Sequence, residues 1–438
     1  MILYPNETTM THRVRIFAGG LLTMAAAACS DSWIDPGPPA NPITYAVSPA
    51  RQWSGGTMTL RSSRANAGHS SRLVLAGEDS VLATAVDDTT YTFSLPTGPS
   101  GSMAIRVTRS GGAVDSAGTV DRVGFATTED MPSPYWSFSA WRPGGHPAIL
   151  GTAFASQDLA SFDLVTGIVT DYPGIKSGGE FTYPVSVTEY ETSVTTAAGA
   201  DTVAVTQLYP TVVSRFTFSP IGLPRQAVAL SDSLYIATSH HSAYIRSLDN
   251  SRLVWSGGLE EPFKTILSPD SRLVIVTGST GTDAPYGVPV FDARSGESLF
   301  VAPVRHVGGA VFSPDGSVLY VVGGQYPEFD TLRVVSTATG ATIGTAVLPD
   351  TAMGLGLSLD AQSGTLYVSA QLAGTGEVLV FDATTLTHRG TLPTGVNCGQ
   401  FCEATTLLDA PAHRLYMAGP TLSTGAPSAK VFIFDLLP

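Results

Sequence analysis

The chain has 438 residues, of which 43% are hydrophobic and only 13% charged, with 45 glycines, 30 prolines and three cysteines. That length suits about two or three domains with full cores, and a charged fraction near half the usual ~25% excludes disorder, coiled coils and long salt-bridged helices, leaving a mostly β protein. A formal net charge of -13, with lysine only at Lys176, Lys264 and Lys430 and no basic cluster beyond the extreme N-terminus, excludes nucleic acid and anionic lipid headgroups as electrostatic partners. No apolar run reaches the ~18 residues that a membrane-spanning helix needs.

The first predicted element is an address. Residues Thr11 to Arg15 are basic, Ile16 to Ala28 are apolar or small, and polar sequence starts directly after Cys29. This is the pattern of a secretory signal peptide over residues 1–28, with Met10 an alternative start. The run Ala26-Ala27-Ala28-Cys29 resembles the lipobox of bacterial lipoproteins, although Ala26 stands where that family usually has Leu. The resemblance implies that Cys29 is lipidated and becomes the N-terminus, with ordinary cleavage after one of the alanines as the alternative. Ser30 in place of Asp lacks the family's inner-membrane retention signal, so the expected location is the bacterial cell envelope, anchored in the outer membrane. With Cys29 assigned to lipid, Cys398 and Cys402 remain as an even pair in an oxidising compartment and are expected to form a disulfide, a redox-active pair being the alternative.

After a Pro-rich tether over residues 29–42, residues 43–125 show strand-like runs such as TMTLRSS and SMAIRVTRS, separated by Gly, Asp and Ser. Strands at this spacing, without helical period, predict a small β-sandwich. The stretches SPARQWSGGTMTL (Ser48 to Leu60) and YTFSLPTGPSGSMAIRV (Tyr91 to Val107) resemble the IPT/TIG type of immunoglobulin-like domain, whose second Gly-rich turn is here replaced by SRANAGH. The resemblance implies a spacer or binding module. Residues 126–133 read as a linker.

The remainder repeats. Aligning ILSPDSRLVIVTG, VFSPDGSVLYVVG, LSLDAQSGTLYVSA and LLDAPAHRLYMAG places Asp270, Asp315, Asp360 and Asp409 at spacings of 45, 45 and 49 residues, the size of a propeller blade. A second signature follows each by about 20 residues, as in VPVFDARSGESL, LRVVSTATGATI and VLVFDATTLTHRG, with weaker copies at LASFDLVTGIV and AVALSDSLYIAT. Asp-Gly or Asp-Ser supplies a tight turn, and runs such as VLYVV are apolar on both faces because a blade lies between two others. The pattern resembles YVTN and WD40-like propellers over residues 134–438. The fold class is therefore all-β, a sandwich followed by a β-propeller of seven or six blades. Because VFIFDLLP reads as a third blade strand, the fourth is expected from upstream, within residues 120–142 around VDRVGF or YWSFSAW.

Chemistry is scarce in the sequence. There is no H-E-x-x-H, P-loop, G-x-S-x-G elbow or calcium loop, and no cofactor, metal or catalytic residue is expected. Asp270, Asp315, Asp360 and Asp409 share one phase of the repeat, which spreads them around a ring and assigns them to turns. The loops entering each first strand and those between second and third strands share the opposite face. They carry His240, His241, Asp283, Tyr286, Arg305, His306, Tyr326, Glu328 and Asp330, a mixture suited to recognition. The expected function is a secreted, lipid-anchored binding or scaffold protein whose propeller face recognises an envelope protein or glycan. The competing expectation is a periplasmic propeller enzyme of the lactonase or quinoprotein type, acting at the channel mouth.

Overall fold

The structure, a computed structural model, describes residues 43–65, 72–108, 113–130, 135–141, 147–153, 158–176, 186–187, 193–199, 202–207, 213–218, 226–230, 233–238, 242–249, 251–258, 265–279, 287–304, 306–325, 328–397, 405–421 and 428–437. Residues 1–42, where a signal peptide and a tether are expected, and Cys29, Cys398 and Cys402 lie outside the described residues.

The sandwich alternates in the way its composition demands. In Thr57–Ser62, Met58 and Leu60 are fully buried while Thr57 and Arg61 face solvent, the period-2 pattern of a half-buried strand. Its core joins these two to Val74, Tyr91, Phe93, Ile105, Val107 and Val120. Eight strands form one nearly closed sheet, in which Asp79–Ala85 pairs with Arg72–Ala76 on one side and Thr90–Ser94 on the other, turning the corner between the two layers. Arg51–Trp53 forms the edge beside Val114–Val123.

The remaining described strands form seven sheets of four strands, one of them extended by the two-residue strand Gly278–Ser279. The inner strands are Tyr135–Trp141, Ser186–Val187, Gln226–Ala229, Thr265–Leu267, His306–Phe312, Met353–Asp360 and Thr405–Asp409. Each touches the next in chain order, and the last touches the first, so they line a closed ring. Within a sheet the residues alternate between two seams rather than between core and water. In Thr365–Leu372, Leu366, Val368 and Ala370 enter the core shared with the fifth sheet, while Tyr367 enters the core shared with the seventh. The third strand Thr375–Asp382 divides likewise, Leu379 and Phe381 to one seam and Val378 and Val380 to the other. The apolar residues in the middle of such a strand, Leu366–Val368 and Val378–Phe381 here, are all buried, at roughly 1.5–3 kcal/mol for each large side chain. This explains the unbroken runs LYVSA and VLVFD.

Closure corrects the linker assigned to residues 126–133. Phe125–Asp130 is the outermost strand of the seventh sheet, antiparallel to Ser428–Asp435, with Lys430↔Asp130 and Ile433↔Thr127 in register. The closing strand thus lies within the expected interval but between the two segments that sequence favoured. Most of VDRVGF belongs to the sandwich strand Val114–Val123, and YWSFSAW is the inner strand Tyr135–Trp141 of the first sheet. Only Gly124 separates the last sandwich strand from the outer ring strand. The Lys430 ammonium lies 2.8 Å from the Asp130 carboxylate, a surface pair that adds register more than stability.

Candidate binding surface of the ring

Antiparallel order puts the turns after first and third strands at one end of the ring and all other connections at the opposite end. The first end is held by aspartates. Asp270 accepts hydrogen bonds from Ser268 Oγ (2.6 Å) and the Arg272 amide (3.1 Å), Asp315 from Ser313 Oγ (2.6 Å) and the Ser317 amide (3.1 Å), and Asp360 from the Gln362 amide (3.0 Å) and Ser363 Oγ (2.7 Å). The third-strand turns repeat the device. Asp292 accepts from the Arg294 and Ser295 amides at 3.0 and 2.7 Å, and Asp382 from the Thr384 and Thr385 amides at 2.9 and 2.7 Å.

Hydrogen bonds made only by the charged form hold a carboxyl acidic. The Ser313 hydroxyl does so foremost for Asp315 and the Thr385 amide for Asp382, bringing both down to about 2. Asp315 and Asp382 are therefore ionised, and all five of these aspartates are occupied by their own turns and spread over the fourth, fifth and sixth sheets. Asp270, Asp315 and Asp360 are turn residues, as their common phase predicts. Asp409 ends the strand Thr405–Asp409 at the same register, opposite Arg414.

The opposite end is where sequence placed the recognition residues. His306 opens the inner strand His306–Phe312 of the fifth sheet, and Glu328 opens its third strand Glu328–Ser336, so both backbones start from this end. Asp330 is half-buried two residues further along. Its carbonyl accepts the Leu348 amide (2.6 Å) and its carboxylate the Thr331 hydroxyl (3.4 Å). His240, His241, Asp283, Tyr286, Arg305 and Tyr326 lie outside the described residues. Among the described residues, no three His, Cys, Asp or Glu side chains converge in a way that would hold a metal ion.

Sequence reading missed Glu377 at this end. It lies near the start of Thr375–Asp382, opposite Ala370 on one neighbouring strand and Pro393 on the other, and is only 5% exposed. Burial, reinforced by the nearby Asp350 carboxylate, pushes its acid up to about 7. A signal existed, since Glu377 is the single charge leading the apolar run VLVF, where the fourth sheet has Gly287 and the fifth Thr331 before theirs.

The sign of the pH effect follows from the raised value. Below the ordinary value of 4.5 the acid is neutral in folded and unfolded chains alike, so folding carries no charge-burial cost. From there to about 7 the folded chain keeps a proton that the unfolded chain releases, and stability falls as pH rises. The loss amounts to about 3 kcal/mol. We expect Glu377→Gln to flatten this decline, measured as the denaturation midpoint between pH 4.5 and pH 8. An unchanged slope in the variant would refute the assignment.

No family model matches the sequence, and no curated protein matches it either. Solved structures do. A chain in the crystal structure of a mitotic checkpoint complex superposes with a TM-score of 0.53 at 13% identity, covering 72% of this chain and 96% of that one. The β-propeller domain of Cps50 (Swd1) from Myceliophteria thermophila superposes with a TM-score of 0.51 at 10% identity, covering 72% of this chain and 100% of the domain. The chain contains a β-propeller. At such identities the likeness concerns the fold of the propeller, and the functional reading must come from the residues.

Proposed function

We propose that this propeller protein is a secreted, lipid-anchored component of the bacterial cell envelope that binds a protein or glycan partner through the end of the ring opposite its aspartate-locked turns. The asymmetry between the two ends carries the reading. One end spends its carboxylates on its own backbone, whereas the segments assigned to the other hold His240, His241, Asp283, Tyr286, Arg305, Tyr326 and Glu328, side chains suited to recognition. A propeller of like fold, solved within a mitotic checkpoint complex, is a precedent for use as an assembly module. In this reading the sandwich is an immunoglobulin-like domain of the IPT/TIG type, Cys29 carries the lipid, and Cys398 and Cys402 form a disulfide in one connection of the recognition end.

Crosslinking the protein in its native envelope, followed by mass spectrometry, tests the binding role. A reproducible protein or glycan adduct on peptides from residues 239–241, 280–286 or 326–330 is expected, and adducts confined to the aspartate-turn end would overturn it. The anchor is tested separately. Mass spectrometry should find an acylated Cys29 at the mature N-terminus, and Cys29→Ala should release the protein from membranes. An unmodified terminus, or a variant that still partitions with membrane, sinks the lipoprotein assignment without touching the propeller's binding role.

A further inference from the structure

The seams on the preceding-sheet side of the fourth, fifth and sixth sheets share a packing rule. In these three the fifth residue of the third-strand turn sits in left-handed backbone, closed by a hydrogen bond to the first, and meets the outer strand of the preceding sheet, whereas the equivalent Gly167 of the first sheet meets nothing within 4 Å. Gly296 (φ 75°), Gly340 (φ 70°) and Leu386 (φ 57°) hold this position, their amides donating to the carbonyls of Asp292, Ser336 and Asp382. The pairs are matched in size. A Cβ on Gly296 would lie 2.6 Å from Val254, one on Gly340 2.7 Å from Phe300, and in the next seam the order reverses, with Leu386 standing 3.1 Å from where Gly344 would carry its Cβ. A Leu in left-handed backbone is costly, and here it fills the space that glycine leaves.

The seam between the sixth and seventh sheets cannot follow this rule. The outer strand of the seventh sheet is Phe125–Asp130, supplied from upstream, so no hairpin joins it to Ser428–Asp435. The small residue is nonetheless present. Gly390 is the register equivalent of Gly344, paired with Val380 as Gly344 is with Val334. Its Cβ would fall 2.8 Å from Trp53 Cβ and 3.1 Å from the Ser54 carbonyl oxygen, both in the sandwich.

Trp53 is 4% exposed and shares a core with Tyr367, Val378, Val380 and Leu392 of the sixth sheet and Leu415, Phe432 and Phe434 of the seventh. Its ring meets Tyr367 edge-on at 6.1 Å. The Ser54 carbonyl accepts the Thr391 amide (3.3 Å), and Gly124 at the domain junction accepts the Asp435 amide (2.8 Å).

We infer that the sandwich is a working part of the ring's closure: its Trp53–Gly55 turn replaces the third-strand turn that the seventh sheet lacks, so that sandwich and ring open together. This goes beyond a spacer role, because a spacer leaves the ring intact when it moves.

Hydrogen exchange on the full chain tests it, with Trp53→Ala and the milder Trp53→Phe compared with the parent. The expected result is amide exchange at least tenfold faster in Phe125–Asp130, His388–Asn397 and Ser428–Asp435 for Trp53→Ala, a smaller increase for Trp53→Phe, and one shared unfolding transition at a lower midpoint. Gly390→Ala, which drives a methyl into Trp53 and Ser54, should accelerate the same segments. Exchange that rises only within residues 51–57, with the three ring strands unchanged, would overturn the inference. So would a separate sandwich transition that leaves the ring's midpoint in place. If Trp53→Ala does not fold, Trp53→Phe and Gly390→Ala give the same two outcomes.

Discussion

Deleting Lys430–Pro438 is expected to abolish cooperative unfolding of the whole described body, not merely to fray its edge. The deleted segment is the third strand of the seventh sheet, paired on one side with Arg414–Thr421 and on the other with Phe125–Asp130. It buries Val431, Phe432, Ile433 and Phe434 almost completely, two into the seam with the first sheet and two into the seam with the sixth. At ~1.5–3 kcal/mol for each large apolar side chain, these four contribute about 10 kcal/mol, comparable with the ~5–15 kcal/mol that holds a typical protein together. Phe125–Asp130 would lose its only strand partner among the described residues, and the core around Trp53 would lose Phe432 and Phe434. Differential scanning calorimetry should show no sharp transition for the truncated chain. A melting curve like that of the intact protein would mean that the ring does not close through this strand.

The repeat was legible because its signal is local and recurs. One Asp per turn and one unbroken apolar strand per sheet are visible within a 45-residue window, and the turn reading of Asp315 needs only Ser313 and Ser317 beside it. The closing strand was harder to place. FATTED has the mixed exposure of an outer strand, with no fully buried residue, so it lacks the apolar run that marks its partners and reads as a linker.

Trp53 was hidden for a different reason. Its contacts lie roughly 300 residues downstream, and in sequence it is part of a Trp-Ser-Gly-Gly turn of a small domain. Only the missing hairpin of the seventh sheet, a property of topology and not of composition, reveals what it fills. Glu377 occupies the middle ground, since the charge is plain in TGEVLVFD but its burial depends on the neighbouring sheet. The residues expected at the recognition end were placed on connections by residue type alone, because no repeat constrains them, and the three that are described, His306, Glu328 and Asp330, lie instead within strands.

The second large effect lies at the ring's inner wall. The fifth and sixth sheets approach through glycine, in HVGGAVF and MGLGLSLD. A Cβ on Gly308 would fall 2.2 Å from the Gly354 carbonyl oxygen, and one on Gly309 2.5 Å from the Gly356 Cα and 2.9 Å from the Leu357 amide nitrogen. These obstacles are backbone, so no rotamer change relieves them, and the inner strand must move. That movement would pull on both the inner contact and the core that Val322, Leu348, Leu357 and Val368 share behind it. Gly354 offers no slack, since its own Cβ would lie 2.2 Å from Val322 Cγ2.

Overpacking in a tight core costs ~1–3 kcal/mol where side chains can yield. Against rigid backbone on a closed ring, Gly309→Val should exceed that range, at about 4 kcal/mol or more, with Gly309→Ala somewhat less. Thr345→Ala, on the exposed outer strand of the same fifth sheet, should stay within about 0.5 kcal/mol. Chemical denaturation of the three variants separates the outcomes. Equal midpoints for Gly309→Val and Thr345→Ala would show that the inner strands are free to part, whereas a large loss confined to Gly309 means that the fifth and sixth sheets are pinned backbone to backbone, leaving no room for a side chain between those two strands.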